Sequence, residues 1–393
     1  MPAHTGSQAE RRIDSQPSWV ARNDRVELAV TGLGAHMAPV TFCRNGPRPV
    51  QPYYISPWQN EKPVAMPAVM VPLRGDFFCL PFGANAEPHR GEKHPPHGET
   101  CGNRWSLEGC AKDGRSTTLA IRLKTKVRPG TVRREFTLVD GHDAVYCRTL
   151  VEGCAGRTPF AHHAVLRMPA RERALRISTS KFAIGRTYPV LLGDPAAGEY
   201  QWLARDAAFR SLARVPSIFK GEAPGDCSAF PTRPGFCDLL QQFERPSKAG
   251  ISWVVATNTE ENWMWFALKN PAVMPGRLFW IENRGRHAAP WSGRNSCLGI
   301  EDGCMYFDRG IAESCRPNPI SRQGIPTCVS LDGKHPLDVR YIQGAAKIPP
   351  GIETITKVKL IVGGAVFSAD NGRTVEIPVD HHFLNPAQDP LPC

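Results

Sequence analysis

Proline and glycine together supply almost one residue in five of this chain, with 37 prolines and 35 glycines among 393 residues. Proline removes a backbone hydrogen bond from a helix, and glycine lowers helix stability through its backbone entropy. Long helices are therefore disfavoured, and the sequence favours strands joined by turns and loops.

The clearest periodic pattern is an alternation of apolar and polar residues, which is typical of half-buried strands. It covers residues 119–127 and 132–139, and then 144–150 after the dipeptide Asp140 and Gly141. Asp-Gly is a favoured two-residue hairpin turn, so these runs predict an antiparallel meander. Further strands are predicted at residues 26–30, 251–256, 263–268, 357–362 and 375–379, with a second hairpin turn at Asn371 and Gly372.

Helical periodicity is scarce, and its best example, residues 203–215, is short and precedes a proline-rich stretch. The fold class is therefore predicted to be mostly β with few short helices. We expect one domain over residues 18–385 with a loop-rich insertion at about 216–249. Residues 1–17 and 386–393 are expected to be a flexible N-terminus and a C-terminal tail.

The net charge of +11 could suit an acidic partner, but lysine and arginine are scattered and no nucleic-acid-binding motif is present. No apolar run reaches the roughly 18 residues that a membrane-spanning helix needs. The polar first 16 residues do not have the pattern of a secretory signal. These features predict a cytoplasmic protein that binds neither nucleic acid nor membrane.

Thirteen cysteines are spread over the chain without a C-x-x-C motif or zinc-finger spacing. In a reducing compartment such residues are mostly small buried apolar side chains. Cys297 and Cys304 flank the segment that ends in Glu301, but their spacing does not indicate a metal or redox site.

Four segments combine chemically useful residues in a fixed order. They are residues 74–83, which begin with Arg74, residues 94–105, which contain His97 and Trp105, residues 159–166, which contain His162 and His163, and residues 278–301, which end in Glu301.

This order resembles the galactose mutarotase-like superfamily, particularly its aldose 1-epimerase and hexose-6-phosphate 1-epimerase branches. Residues 74–83 are similar to its R-G-G-I-P-x-x-F-P-x-F-G segment, and His97-Gly98 with Trp105 to its H-G-F-x-R-x-x-W segment. His163 with Leu166 resembles H-x-x-F-N-L, and Glu301 ends an apolar strand as the catalytic glutamate of the family does. The resemblance spans about residues 20–380 and implies a large antiparallel β-sandwich.

The sequence also departs from the family pattern. Glu99 follows His97-Gly98 where the family has an aromatic residue, and Ala164, Val165 and Leu166 follow His163 in place of a run ending in Phe-Asn-Leu. The family has a further aspartate between the histidine and the glutamate, for which Asp206, Asp226 and Asp238 all remain candidates.

The resemblance implies interconversion of the α and β anomers of a hexose or hexose phosphate. This reaction needs a base for the C1 hydroxyl and an acid for the ring oxygen, and each such group contributes about 10²–10⁴ in rate. Glu301 would be the base and His163 the acid, because His163 keeps the family spacing while its neighbour His162 points to the other face of the strand. His97 and Arg74 would bind the ring oxygen or hydroxyls. Neither a metal nor an organic cofactor is expected.

Further substrate contacts are suggested by aromatic and basic residues near these segments. The indole rings of three residues could pack against the apolar face of a pyranose: Trp105, Trp280 and Trp291. For Trp280, packing in the core is the simpler interpretation. Arg284 and Arg286, in an arginine-rich loop before Glu301, could bind a sugar phosphate through their guanidinium groups.

Two other functions remain open at this point. The same sandwich could carry a non-catalytic carbohydrate-binding or regulatory protein, or a polysaccharide lyase or glycosidase domain, which would need a second carboxylate facing Glu301. The expected partner is a small sugar or sugar phosphate, bound by a monomer or a homodimer.

Overall fold

The computed structural model describes residues 9–62, 64–245 and 250–385. Within these ranges the chain forms strands joined by loops, with one α-helix, α1 (Gly310–Cys315). Short 3₁₀ helices lie at Pro57–Asn60, Ala68–Met70, Glu99–Cys101, Pro195–Ala197, Ser321–Gln323 and His381–Leu384. In chain order the strands are β1 (Arg11–Ile13), β2 (Gln16–Arg22), β3 (Glu27–Thr31), β4 (Met37–Thr41), β5 (Asp76–Cys79), β6 (Ser106–Asp113), β7 (Ser116–Thr125), β8 (Gly130–Val139), β9 (Ala144–Glu152), β10 (Ala155–Thr158), β11 (Phe160–Arg167), β12 (Leu175–Thr179), β13 (Ile184–Thr187), β14 (Ala208–Phe209), β15 (Ala229–Phe230), β16 (Phe236–Phe243), β17 (Ser252–Asn258), β18 (Trp263–Lys269), β19 (Gly276–Asn283), β20 (Ser296–Cys304), β21 (Val329–Asp332), β22 (Leu337–Lys347), β23 (Ile355–Ile361), β24 (Gly364–Ala369) and β25 (Thr374–Pro378).

Two large antiparallel sheets form a sandwich. The first has eleven strands in the order β1-β2-β3-β4-β5-β11-β20-β19-β16-β13-β14, and the second has nine in the order β15-β12-β17-β18-β22-β9-β8-β7-β6. The main core lies between them, and apolar residues from both sheets meet there: Leu166, Phe279 and Ile300 from the first, and Leu119, Phe136 and Trp265 from the second. The expected mostly β, large antiparallel sandwich is confirmed.

The outer face of the first sheet is also apolar and is covered by other segments, so the central strands of this sheet are buried on both sides. Phe77, Val165, Leu278 and Trp280 point outward and pack under covering segments that include Trp58. The small sheet β23-β24-β25 covers the far side of the second sheet instead. The first sheet is therefore packed on both of its faces.

All the strands predicted from alternation are present, including the meander β7-β8-β9. The segment 203–215, which showed the best helical periodicity in the sequence, does not form a helix. Backbone groups of this segment bond to other elements: Leu203 N–H donates to Asp238 at 3.0 Å, and Ala204 N–H donates to the Pro216 carbonyl at 2.9 Å. These long-range bonds replace the bonds of a helix.

The expected loop-rich insertion at 216–249 contains a central strand. Residues 236–243 form β16, which pairs with β19 and β13 in the first sheet. Seven of its eight residues are buried, so its apolar character reflects a position inside the sheet. At the N-terminus, residues 11–13 and 16–17 belong to the strands β1 and β2, so this part of the expected flexible segment is ordered. The expected C-terminal tail at 386–393 lies outside the described residues.

Candidate functional site

The pairing of β11 with β20 places His163 directly opposite Glu301. Facing residues of an antiparallel pair have Cβ atoms about 4.5–5.5 Å apart, so their side chains meet. His163 Nε2 lies 3.2 Å from Glu301 Oε1, and the two residues are 5% and 2% exposed. The register of two neighbouring strands therefore brings together the two side chains for which the sequence predicted acid and base roles.

The residues next to this pair face the opposite side of the sheet. His162 Nδ1 lies 3.0 Å from Asp76 Oδ2, and Arg134 Nη2 is 3.1 Å from the same oxygen. Asp302 forms ion pairs with Lys269 and Arg277 at 2.6 and 3.0 Å. Side chains alternate between the two faces of a strand. The charged network around Asp76 and Asp302 therefore lies between the two sheets, while His163 and Glu301 lie on the outer face of the first sheet.

A cavity of about 160 Å³ opens on this outer face, and both His163 and Glu301 line it. Its walls are largely apolar and include three aromatic side chains. Trp280 and Trp291 meet edge to face with centroids 5.7 Å apart, and Phe77 stacks on the His163 ring at 4.4 Å. Drug-sized ligands occupy pockets of about 300–1,000 Å³. This smaller space suits a ligand with the dimensions of one sugar ring.

His97 reaches the cavity from a tight turn. Its ring meets that of His163 edge to face at 5.4 Å. His97 has φ 60 and Gly98 has φ 84, and a Cβ at Gly98 would lie only 1.9 Å from the Leu80 carbonyl oxygen. Left-handed backbone at a residue other than glycine costs about 1–3 kcal/mol, and such strain is concentrated at functional sites.

Burial governs the electrostatics of the pair. It raises the pKa of Glu301 well above its usual range, and the nearby Asp308 adds to the rise. Burial also lowers the pKa of His163 well below its usual range, helped by His97 and His36. Burial thus favours the neutral form of both groups, a protonated Glu301 and an unprotonated His163.

Gly299 makes room for this arrangement. It lies two residues before Glu301 on the same face of β20, opposite Trp280 on β19. A Cβ at this position would lie 2.9 Å from Glu301 Oε1 and 3.0 Å from Trp280 Cβ. A glycine here allows the carboxyl group and the indole ring to occupy adjacent space.

Asp308 also lines the cavity and was not anticipated from the sequence. It follows Phe307, whose backbone has φ 47 and whose N–H donates to Gln241 Oε1 at 2.7 Å. Burial raises the pKa of Asp308, and its Oδ1 atom has no hydrogen-bond partner. No sequence motif marks this residue, because a contact with a distant strand sets its position.

The three aspartates considered from the sequence lie elsewhere. Asp206 is exposed beside Arg186, and Asp226 pairs with Arg173. Asp238 is buried and accepts hydrogen bonds from the backbone of residues 202 and 203. None of the three lines the cavity.

The predicted substrate-binding residues divide into two groups. His97 and Arg286 line the cavity, and the Arg286 guanidinium lies 5.0 Å from the centre of the Trp291 ring. Arg74, Trp105 and Arg284 are not among the lining residues.

Each of these three has another environment. Arg74 is fully buried and donates to the carbonyls of Ile13, Asp14 and Pro72 and to Gln59. Trp105 belongs to the main core and donates to the Thr100 carbonyl. Arg284 is exposed.

The substrate contacts proposed for these three residues therefore find no support in the geometry. Trp280 and Trp291, for which core packing was an alternative, do line the cavity.

Glu99, which stands where the resembled family has an aromatic residue, does not enter the cavity. Its carboxylate accepts hydrogen bonds from the backbone N–H groups of Lys126 and Val127 at 2.9 and 3.0 Å. This departure thus has a structural use, fixing the loop after β7 to the turn that carries His97.

Among the described residues, no group of three or more His, Cys, Asp or Glu side chains could hold a metal ion. Cys297 and Cys304 are buried, and burial raises the pKa of both thiols, which makes them poor nucleophiles. No helix in the described part of the chain is long and apolar enough to cross a membrane.

Comparison with known proteins agrees with the architecture. No protein-family model matches the sequence, and no curated protein matches it significantly. Solved structures do match. A galactose mutarotase-like protein from Clostridium acetobutylicum superimposes with a TM-score of 0.56 at 10% identity, covering 86% of this chain and 98% of that one.

Two further structures give the same result. A galactose mutarotase related enzyme from Lactobacillus acidophilus has a TM-score of 0.53 at 11% identity, covering 87% of this chain and 100% of its own. A candidate aldose 1-epimerase from Escherichia coli has a TM-score of 0.53 at 12% identity, covering 85% and 100%. The chain therefore has the galactose mutarotase-like fold.

Proposed function

We propose that this protein is an aldose 1-epimerase, which interconverts the α and β anomers of a hexose. The observation that carries the proposal is the pair of His163 and Glu301, whose Nε2 and Oε1 atoms lie 3.2 Å apart across two strands and which line a largely apolar cavity. The fold shared with mutarotase-like structures supports it. Acid/base chemistry on a small neutral ring is what these groups can perform.

The two side chains supply what anomer interconversion requires. One group removes the C1 hydroxyl proton while the other gives a proton to the ring oxygen, the bond between C1 and the ring oxygen breaks, and an open-chain aldehyde forms. Rotation about the C1–C2 bond and the reverse proton transfers close the ring with the other configuration. No proton is gained or lost overall.

A single proton held by one group or the other suits this chemistry in either direction. With the proton on His163, Glu301 is the base, and with the proton on Glu301, the roles are exchanged. Both forms have the same net charge, so the buried site has no need to bind or release a proton during a turnover. A substrate would place its C1 hydroxyl against one of the two groups and its ring oxygen against the other.

The remaining cavity residues would hold the sugar. Trp280 and Trp291 present apolar faces to the ring, and the Nδ1 atom of His97, which has no partner in the structure, can bond a hydroxyl. Arg286 lies over both indole rings and 3.5 Å from Glu282 Oε2, so its charge is partly matched. This pairing favours hydroxyl recognition over phosphate binding at Arg286.

Exchange NMR with free hexoses tests the proposal, because magnetisation moves between the two anomers at the rate of interconversion. We expect the wild-type protein to accelerate exchange, and Glu301→Gln and His163→Asn each to reduce the acceleration by about 10²–10⁴. Glu376→Gln is the matched control, since Glu376 is exposed on β25 in the separate small sheet. Full activity in Glu301→Gln would remove Glu301 from the mechanism, and sugar binding without faster exchange would select a carbohydrate-binding protein instead.

One observation favours a second function. Asp308 provides another carboxyl group in the cavity of Glu301, and glycosidases use two carboxyl groups. Release of a hexose from an aryl glycoside, lost in both Glu301→Gln and Asp308→Asn, would select a glycosidase.

A further inference from the structure

Two cysteines, Cys315 and Cys328, lie next to each other at a place that the proposed reaction does not use. Cys315 is the last residue of α1, and Cys328 directly precedes β21. Their thiol groups interact with each other through a side-chain hydrogen bond. Neither residue lines the cavity of His163 and Glu301.

Hydrogen bonds hold the two cysteine-bearing segments together. The residues directly before the cysteines are Ser314 and Thr327, and Thr327 Oγ1 donates to the Ser314 carbonyl at 2.7 Å. Asn318 Nδ2 donates in turn to Thr327 Oγ1 at 2.8 Å. The loop between the cysteines is anchored by the buried side chains of Ile320 and Ile325. The two thiols are therefore held in adjacent positions by the packed structure around them.

A guanidinium group completes this cluster. Arg157, on β10, donates from Nη2 to Cys328 Sγ at 3.1 Å. Because β10 pairs with β21 in an antiparallel register, the strand pairing sets the position of Arg157 beside the start of β21. A cationic side chain next to a cysteine favours the thiolate, which is the nucleophilic form.

The protonation of the two thiols follows from these contacts. The hydrogen bond with Cys315 and the charge of Arg157 lower the pKa of Cys328 to about 6, although partial burial opposes the change. The same hydrogen bond and burial raise the pKa of Cys315, so this thiol keeps its proton. Cys110, which is also half-buried, has a pKa that burial raises. Partial exposure and a thiolate thus coincide at Cys328.

We propose that Cys328 is a site of reversible oxidation by hydroperoxides and that Cys315 is its resolving thiol. The Cys328 thiolate attacks one oxygen of hydrogen peroxide, the O–O bond breaks, and a sulfenic acid and hydroxide form. The sulfur loses two electrons, which the peroxide gains. The Cys315 sulfur then attacks the Cys328 sulfur, the S–O bond breaks, and the sulfenic hydroxyl leaves as water with the Cys315 proton. The product is a disulfide, which an external dithiol returns to two thiols.

Hydrogen peroxide added to the reduced full-length protein tests the proposal, with peptide mass spectrometry after digestion without a reductant. We expect a cross-linked peptide that joins Cys315 to Cys328 and disappears on treatment with dithiothreitol. In Cys315→Ser, dimedone, which reacts with sulfenic acids, should label Cys328. The Cys110→Ser variant is the matched control and should form the same cross-link as the wild type. A wild-type protein that forms no such cross-link, or that oxidises Cys110 as fast as Cys328, would overturn the proposal.

Alkylation by iodoacetamide at pH 7 measures thiol reactivity without an oxidant and is read in the wild-type protein itself. We expect Cys328 to react about ten-fold or more faster than Cys110, because its larger thiolate fraction outweighs the weaker nucleophilicity of a less basic sulfur. Arg157→Gln should slow the reaction of Cys328, whereas Arg122→Gln, at an exposed position on β7, should not. Equal rates for Cys328 and Cys110, or an Arg157→Gln rate equal to that of the wild type, would contradict the proposal.

Discussion

Replacing Glu301 by Gln should stabilise the protein near neutral pH, although it removes the proposed base. Glu301 is 2% exposed, and burial raises its pKa well above the usual value of 4.5. The folded state therefore keeps a proton that the unfolded chain releases above pH 4.5. Wild-type stability is undiminished below this pH and falls as the pH rises toward the folded pKa. Glutamine has the shape of the protonated carboxyl group and does not titrate, so the variant escapes this loss.

The size of the gain follows from proton linkage. Each pH unit between 4.5 and the folded pKa costs the wild-type protein about 1.4 kcal/mol. The gain of Glu301→Gln should be close to zero at pH 4.5 and grow with each pH unit up to the folded pKa of Glu301. The pKa of His163 is lowered in the folded state. Below the usual histidine value of 6.5, this residue therefore takes up a proton in the unfolded chain and lowers the stability of both proteins. This effect largely cancels when the two stabilities are subtracted.

Urea unfolding at pH 4.5, 5.5 and 7, followed by tryptophan fluorescence, measures this difference. The Glu376→Gln variant controls for the chemical change at an exposed position. A gain that does not grow with pH, or a loss of stability at pH 7, would refute the assignment of a buried, protonated Glu301.

Three other changes give separate expectations. Asp302→Asn should destabilise by about 3–5 kcal/mol at pH 7, because it leaves the two buried cations Lys269 and Arg277 to share the carboxylate of Glu244. The loss should shrink as the pH falls below the usual value of 3.8, since the pKa of Asp302 is lowered by its cationic neighbours in spite of burial. Urea unfolding at pH 3 and 7 checks this. The Gly299→Ala variant should fold, but the new Cβ would lie 2.9 Å from Glu301 Oε1 and displace that carboxyl group. We expect anomer exchange to fall by about 10²-fold. Wild-type exchange rates would contradict the packing argument. Of the two arginines, Arg286 lines the cavity and Arg284 does not. Arg286→Ala should therefore weaken hexose binding in calorimetry, and Arg284→Ala should leave it unchanged. An equal loss of hexose affinity in both variants would contradict the different positions of these two residues.

The sequence predicted the sheet pattern well because alternation is a local property. It also indicated His163 and Glu301, and the choice of His163 over His162 agrees with the observed faces of β11. Arg74 shows where a motif match is insufficient. Its guanidinium is tied to carbonyls of Ile13 and Asp14, about sixty residues away in sequence, and no local pattern reveals such a contact.

Asp308 was missed for a related reason. A turn at Phe307, held by Gln241 from β16, brings this aspartate into the cavity. The sequence placed β16 in a loop-rich insertion, so neither the strand nor the turn that depends on it was visible.

The arrangement of charges on β11 and β20 explains how one sheet serves both stability and chemistry. On the inner face, Asp302 has cationic partners that lower its pKa despite burial. One residue earlier, on the outer face, Glu301 has none, and burial raises its pKa. Environments that push neighbouring titratable groups in opposite directions are a general mark of acid/base sites. Because side chains alternate along a strand, two adjacent positions are enough to separate the structural carboxylate from the one available to a ligand, and a shift of register by one residue would exchange their roles.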